Sequence, residues 1–349
     1  MIPAYCLAFA SLGAILAFSR SGFFHNGMSD ARLMCMVAGM LPAAQFHKWR
    51  QSPLVRPVVL YGACLIPSLL LTKSWAMSTF GHPGIYSGSV FTFALCAVGL
   101  LIAEQLEEGR DLVKKSVLVA GSATVLLCLM QRAHMDPFGL GPLGARATGF
   151  QGSPVDVGAL MVVLLTFAPR WLMPAYAAAL IATVSRGAWL GGLVALMPRN
   201  WRPAACLLAT FLAISYVYTH QTASDRVRFA IWGMAAKHLS VIGTGPATFN
   251  LTFSGKDGVV IEGEGRVNPA HAHNSVLDAF VTRGIIGVIG LAAFFFVPEL
   301  AGLWTVCMFN PVSFEVTFVA CVLAGLERGR KGENLAGDAH AQPALELST

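Results

Sequence analysis

Gly88-Ser89-Val90-Phe91-Thr92-Phe93-Ala94-Leu95-Cys96-Ala97-Val98-Gly99-Leu100-Leu101-Ile102-Ala103 decides the fold. The run carries no charge and stops abruptly at Glu104, Glu107, Glu108 and Arg110. Such a segment is stable in hydrocarbon when it is a helix, which satisfies its own backbone polar groups. Similar runs recur from Met1 to Leu326, at roughly 1–18, 31–46, 57–72, 88–103, 115–130, 154–168, 172–184, 187–198, 203–218, 284–298, 299–309 and 312–326. The 349 residues are 55% hydrophobic and only 12% charged, with a mean hydropathy of +0.63. A soluble domain carries about twice that share of charge. The composition therefore predicts an all-α polytopic integral membrane protein of about twelve transmembrane helices. Met1–Phe18 lacks a basic stretch before its apolar run and is expected to be a retained first span, not a cleaved signal.

The net charge of +6 does not call for a nucleic-acid partner. The basic residues gather in short loops: His47, Lys48, Arg50 and Arg56; then Arg110, Lys114 and Lys115; Arg170; Arg199 and Arg202; and Arg328, Arg330 and Lys331. Alternating spans put all of these on one side, which the positive-inside rule makes cytoplasmic. Some of the surplus can serve an anionic substrate. The eight cysteines all lie in apolar runs without a CxxC pair, and read as small buried hydrophobes. Glu107, Glu108 and Asp111 read as structural charges of a cytoplasmic loop.

The opposite face receives 19–30, 73–87, 131–153, the Ser185-Arg186 turn and the long polar segment 219–283. Residues 1–326 then form a single transmembrane domain that includes 219–283 as a non-cytoplasmic loop, and 327–349 form a polar cytoplasmic tail expected to be disordered. A loop as long as 219–283 is usually functional. Within it Asp225–Leu239 reads as an amphipathic helix. Val227, Ile231 and Met234 lie near one face, widened by Phe229 and Trp232, with Arg226, Gly233 and Lys237 on another. The expectation is a helix lying in the membrane interface, with room for a catalytic role of one arginine.

Among the cations of the outer face, Arg146, Arg186, Arg226 and Arg228 are joined by His271 and His273 in Asn268-Pro269-Ala270-His271-Ala272-His273-Asn274-Ser275-Val276. They come from separate spans yet can converge on one pocket at membrane level. Arginine is always charged and pairs bidentately with phosphate. Histidine exchanges protons near neutral pH. Each residue also has a plainer reading. Arg186 can snorkel to headgroups, Arg146 can be a loop-surface charge, and the histidines can be solvated. The His-x-His pair lacks a well-spaced third ligand, since Glu262 and Glu264 sit in a Gly-rich stretch, so no metal site is expected. Gly243-Thr244-Gly245-Pro246 resembles a phosphate-cradling turn but lacks a strand–turn–helix setting. It fits better a backbone that must approach its surroundings closely.

The order of these pieces carries more than any one of them. Arg146-x-x-Gly149-Phe150 precedes a span with Pro154, and Ser185-Arg186-Gly187-Ala188 joins two spans. Arg228-x-x-x-Trp232 opens a loop helix, and Gly243-x-Gly245-x-x-x-Phe249 follows. His273-Asn274-Ser275 then leads through Arg283-Gly284-Ile285-Ile286-Gly287 into a span. Over about residues 146–296 this resembles the O-antigen ligase and polymerase superfamily, while the N-terminal spans match only in hydrophobicity and number. The chain departs from that pattern in a shorter length and a compact periplasmic loop.

The resemblance implies a GT-C-type membrane glycosyltransferase in the bacterial inner membrane, acting at the periplasmic face without metal, nucleotide or other cofactor. The implied donor is a polyprenyl-diphosphate-linked glycan. The implied acceptor is lipid A core for a ligase, another glycan for a polymerase, or a pilin in some relatives, and the ligase-like assignment is preferred. His273 matches the catalytic histidine. Arg146, Arg186 and Arg228 match the arginines near the diphosphate, with Arg228 favoured over Arg226 because Trp232 follows four residues later. Arg186 and Arg228 are expected in catalysis with His273. Arg146, Arg226, His271, Asn274, Gly243 and Gly245 are expected to bind substrate. A transporter is the competing reading, because an intramembrane arginine and broken helices could line a substrate path. That reading predicts charges deep within several spans, whereas these gather on one face. A receptor or assembly protein without chemistry is the remaining reading.

Overall fold

The computed structural model describes residues 1–17, 29–45, 52–81, 88–140, 146–197, 201, 205, 212, 216, 223–253, 259–261, 265–267, 269, 271–295, 298–309 and 312–341. Helices dominate: α1 (Ile2–Leu16), α2 (Ser29–Ala44), α3 (Val55–Leu70), α4 (Trp75–Phe80), α5 (Val90–Glu104), α6 (Arg110–Arg132), α7 (Pro154–Phe167), α8 (Met173–Ala182), α9 (Arg186–Leu196), α10 (Ala223–Lys237), α11 (Phe249–Thr252), α12 (Ser275–Phe295), α13 (Ala301–Cys307) and α14 (Phe314–Ala341). The expected all-α class needs one amendment. Val259–Ile261 and Gly265–Val267 form a two-stranded antiparallel ribbon, β1 and β2, with Val260 opposite Arg266.

Helix starts follow local chemistry. The Ser89 hydroxyl accepts the Thr92 N–H at the start of α5, and Pro154 supplies a pre-set φ at the start of α7. Among the described residues two helices are long and apolar enough to cross a membrane: α6, with 23 residues, and Ser275–Ala292 of α12. At about 1.5 Å per residue, α6 exceeds the roughly 30 Å of a hydrocarbon core. The apolar helices α1, α3, α5, α7 and α8 are shorter, at 10–16 residues. The expected span 203–218 lies largely outside the described residues. The polar tail is helical further than expected, since α14 continues to Ala341. Its sequence holds no proline before Pro343, and Arg330 pairs with Glu327 one turn back at 2.8 Å.

The core is apolar, and apolar side chains also lie on outward helix faces. Leu41, Leu60, Ile66, Val119, Leu126 and Ile289 are each more than half exposed on helices. Meanwhile Arg32, Thr124, Gln131, Asp225 and Glu315 are buried. Helices touch where small residues let backbones meet. A Cβ on Gly191 of α9 would lie 2.6 Å from the Gly302 carbonyl of α13.

Contacts at helix ends fall into two sets. At one end the Met1 amine meets Glu108 at 3.4 Å, Ser52 bonds to Glu104, and Lys331 donates to Glu299 at 2.7 Å. At the other end Ser78 donates to the Pro246 carbonyl at 2.9 Å, Arg146 reaches Thr183, and Arg186 reaches Asp225. Alternating spans predict this division of the loops.

Candidate active site

Arg146 and Arg186 are brought together by backbone stitching. The Gln131 carboxamide oxygen of α6 accepts the N–H groups of Thr148 and Gly149, each at 2.9 Å. The Arg32 guanidinium, 2% exposed, donates to the Phe150 carbonyl and lies 3.8 Å from the buried Glu315 carboxylate of α14. So held, the segment leading into the Gly149–Gln151 turn bonds to the end of α8. Ala147 N–H donates to Ala182 O at 3.1 Å, and Arg146 Nε donates to Thr183 O at 3.1 Å. Arg186 follows three residues later, as the first residue of α9.

That position is electrostatically poor for a cation, because the helix N-terminus is itself positive. Asp225 offsets it. The Asp225 carboxylate, 1% exposed, accepts from Arg186 Nη2 through both oxygens at 2.8 Å. Arg228, one turn along α10 from Asp225, comes within 3.9 Å of the same carboxylate. Arg186 also sits 6.0 Å from the Tyr216 ring centroid.

The apolar face of α10 is the predicted one, but it covers protein. Ile231 and Ala235 are buried with Phe249, Phe253, Ala272 and Val281, and Val227 and Met234 pack against them. The expectation of a helix lying in the membrane interface is corrected accordingly. Trp232 is likewise not a headgroup anchor, since its indole N–H donates to the Ala272 carbonyl at 2.8 Å.

That bond fixes the histidine segment from one side. From the other, Ala272 N–H donates to the buried Asp278 carboxylate at 3.1 Å. The peptide between His271 and His273 is thereby clamped at both ends. His273 adopts φ +53° and the two imidazoles meet with centroids 4.7 Å apart. Val184, two residues before Arg186, has φ +50°, costly for a β-branched residue. Strained backbone thus occurs on both sides of the cluster.

Burial, then His271 and the Arg228 charge, hold His273 down at about 4. His271 is lowered by burial. Arg228 is lowered by burial, opposed by Asp225 and reinforced by the Arg186 and Arg146 charges. Arg228 therefore links the two halves of the cluster: it feels the Arg186 and Arg146 charges, and it acts on His273, whose ring meets that of His271. Both imidazoles are neutral at pH 7, so each keeps a lone pair.

The other expected residues do different work. Arg226 is exposed and is not among the charges acting on Arg228 or His273. Asn274 caps α12, its side-chain oxygen accepting the N–H groups of Val276 and Leu277 at 3.0 Å. Gly243 and Gly245 have their amides occupied by Ser240 Oγ at 2.7 Å and Thr282 O at 2.8 Å. They lay the loop across a break in α12, where Gly284 has φ 71° and ψ −177°. A Cβ on Gly243 would meet the Thr282 carbonyl at 2.5 Å, which is the close approach expected of the glycines.

Asp225, Asp278 and the Arg32–Glu315 pair were not singled out by the sequence. Asp225 had one local signal, its placement three residues before Arg228. Among the described residues no group of three or more His, Cys, Asp or Glu side chains is placed to hold a metal ion. No family model matches this chain, and no curated protein matches it either.

Proposed function

We propose that the chain is a membrane glycosyltransferase that moves a glycan from a polyprenyl-diphosphate carrier to an acceptor hydroxyl, with inversion and without metal. In this reading it crosses the bacterial inner membrane about twelve times, and the arginine–histidine cluster faces the periplasm. The observation that carries the reading is that Arg228 feels the charges of Arg186 and Arg146 and acts on His273, whose imidazole meets that of His271. The acceptor oxygen attacks the anomeric carbon while His273 takes its proton. The bond from that carbon to the diphosphate oxygen breaks, and the electron pair leaves on the diphosphate. The guanidiniums meet the charge that develops there. A bound anionic donor raises the basicity of His273, which burial, the neighbouring His271 and the Arg228 charge hold down.

The preferred acceptor is a lipid such as lipid A core. A glycan or a pilin are the alternatives within the same chemistry. Product form separates them: one block on an acceptor lipid, or a ladder still on the carrier. The reading is tested with purified protein, a synthetic polyprenyl-diphosphate glycan and EDTA. Transfer is expected to survive chelation and to be lost in His273→Ala and Arg186→Ala. Transfer lost to EDTA, or retained in full by His273→Ala, contradicts it.

A further inference from the structure

Asp225 is an acid placed where the proposed substrate is an anion, and its burial requires a reason. It is 1% exposed, whereas Arg186 is 41% and Arg228 28% exposed. The carboxylate therefore lies beneath the arginines and does not compete for their outer edges. It joins two elements, the first turn of α9 and the first turn of α10. Only one nitrogen of Arg186, Nη2, makes both bonds to it. Arg186 and Arg228 both lie against this carboxylate, and the Arg146 charge reaches Arg228.

Resting on the glycosyltransferase reading, we propose that Asp225 is a positioning and specificity-determining residue. It aims Arg186 and Arg228 at one ligand, and by cancelling one cation it tunes the site to a diphosphate over more highly charged anions. Guanidiniums this close repel one another, and a buried shared carboxylate holds them together. Removing its charge without its shape should leave the site more cationic and Arg186 unanchored.

The test uses the full-length protein in detergent, with transfer inhibited by inorganic orthophosphate, pyrophosphate and tripolyphosphate. For the unaltered protein pyrophosphate should inhibit far more strongly than orthophosphate. In Asp225→Asn the preference for tripolyphosphate over pyrophosphate should rise by about tenfold, as one added unit charge at such separations implies. Its kcat should also fall while the donor KM does not rise. Asp225→Glu, which keeps the charge, should leave the anion preference unchanged and alter kcat alone; it serves as the folded control if Asp225→Asn is unstable. An unchanged anion preference in folded Asp225→Asn, or the same shift in Asp225→Glu, overturns the assignment of Asp225. Failure of pyrophosphate to inhibit the unaltered protein instead overturns the diphosphate reading itself.

Discussion

An imidazole held at about 4 is a weak base at neutral pH, and the proposed function requires a bound donor to change that. Free-enzyme groups govern kcat/KM and groups of the substrate complex govern kcat. The acid limb of kcat should therefore lie at higher pH than that of kcat/KM, which should stay flat through the ordinary histidine range near 6.5. Coincident limbs near 6.5 contradict the burial of His273. Stability follows the same shift. The unfolded chain takes up its proton near 6.5 and the folded chain near 4, so stability is constant above that window and declines as pH falls through it. Melting temperatures between pH 7 and pH 4 should fall more steeply in the unaltered protein than in His273→Ala. Transfer by His273→Ala should drop by about 100- to 10,000-fold, the usual share of a general base.

The loop elements show what sequence can and cannot disclose. The helix over 225–239 was legible because Val227, Ile231 and Met234 recur at helical spacing, a local signal. What that face covers was not, because Phe249, Phe253, Ala272 and Val281 arrive from later elements. Phe249→Ala should cost about 3–5 kcal/mol through lost burial and the cavity left behind. A melting temperature unchanged by that substitution contradicts the packing of α10. The break in α12 was hidden for a similar reason. Arg283-Gly284 marked the entry to a span, but helix begins at Ser275 and bends at Gly284 only because Ser240 and Val241 carbonyls accept the Ile285 and Ile286 N–H groups. A Cβ on Gly284 would lie 2.2 Å from the Val241 carbonyl oxygen, at a φ that side chains resist. Gly284→Ala should destabilise the protein by more than about 1 kcal/mol, read by thermal melting, and no loss would contradict the tight crossing.

Across the whole molecule, the division of the loops between two ends was readable from the alternation of apolar and basic stretches. The Met1–Glu108, Ser52–Glu104 and Lys331–Glu299 contacts reproduce it. The charge partners within each end were not readable, since Arg32 and Glu315 lie at nearly opposite ends of the chain and nothing in either neighbourhood names the other. An impermeant maleimide should label Met135→Cys, an exposed position at the arginine end, in intact cells. Glu108→Cys, exposed at the other end, should react only after permeabilisation, and equal labelling of both contradicts the membrane orientation. The central claim is that the gathered guanidiniums grip the carrier diphosphate while His273 performs the proton transfer. Its most direct measurement is binding of a polyprenyl-diphosphate glycan, and of its monophosphate analogue, to the purified protein and three variants. The diphosphate should bind more tightly than the monophosphate, His273→Ala should bind it normally without transferring, and Arg186→Ala and Arg228→Ala should lose the diphosphate preference. A preference that survives loss of both arginines would contradict the account.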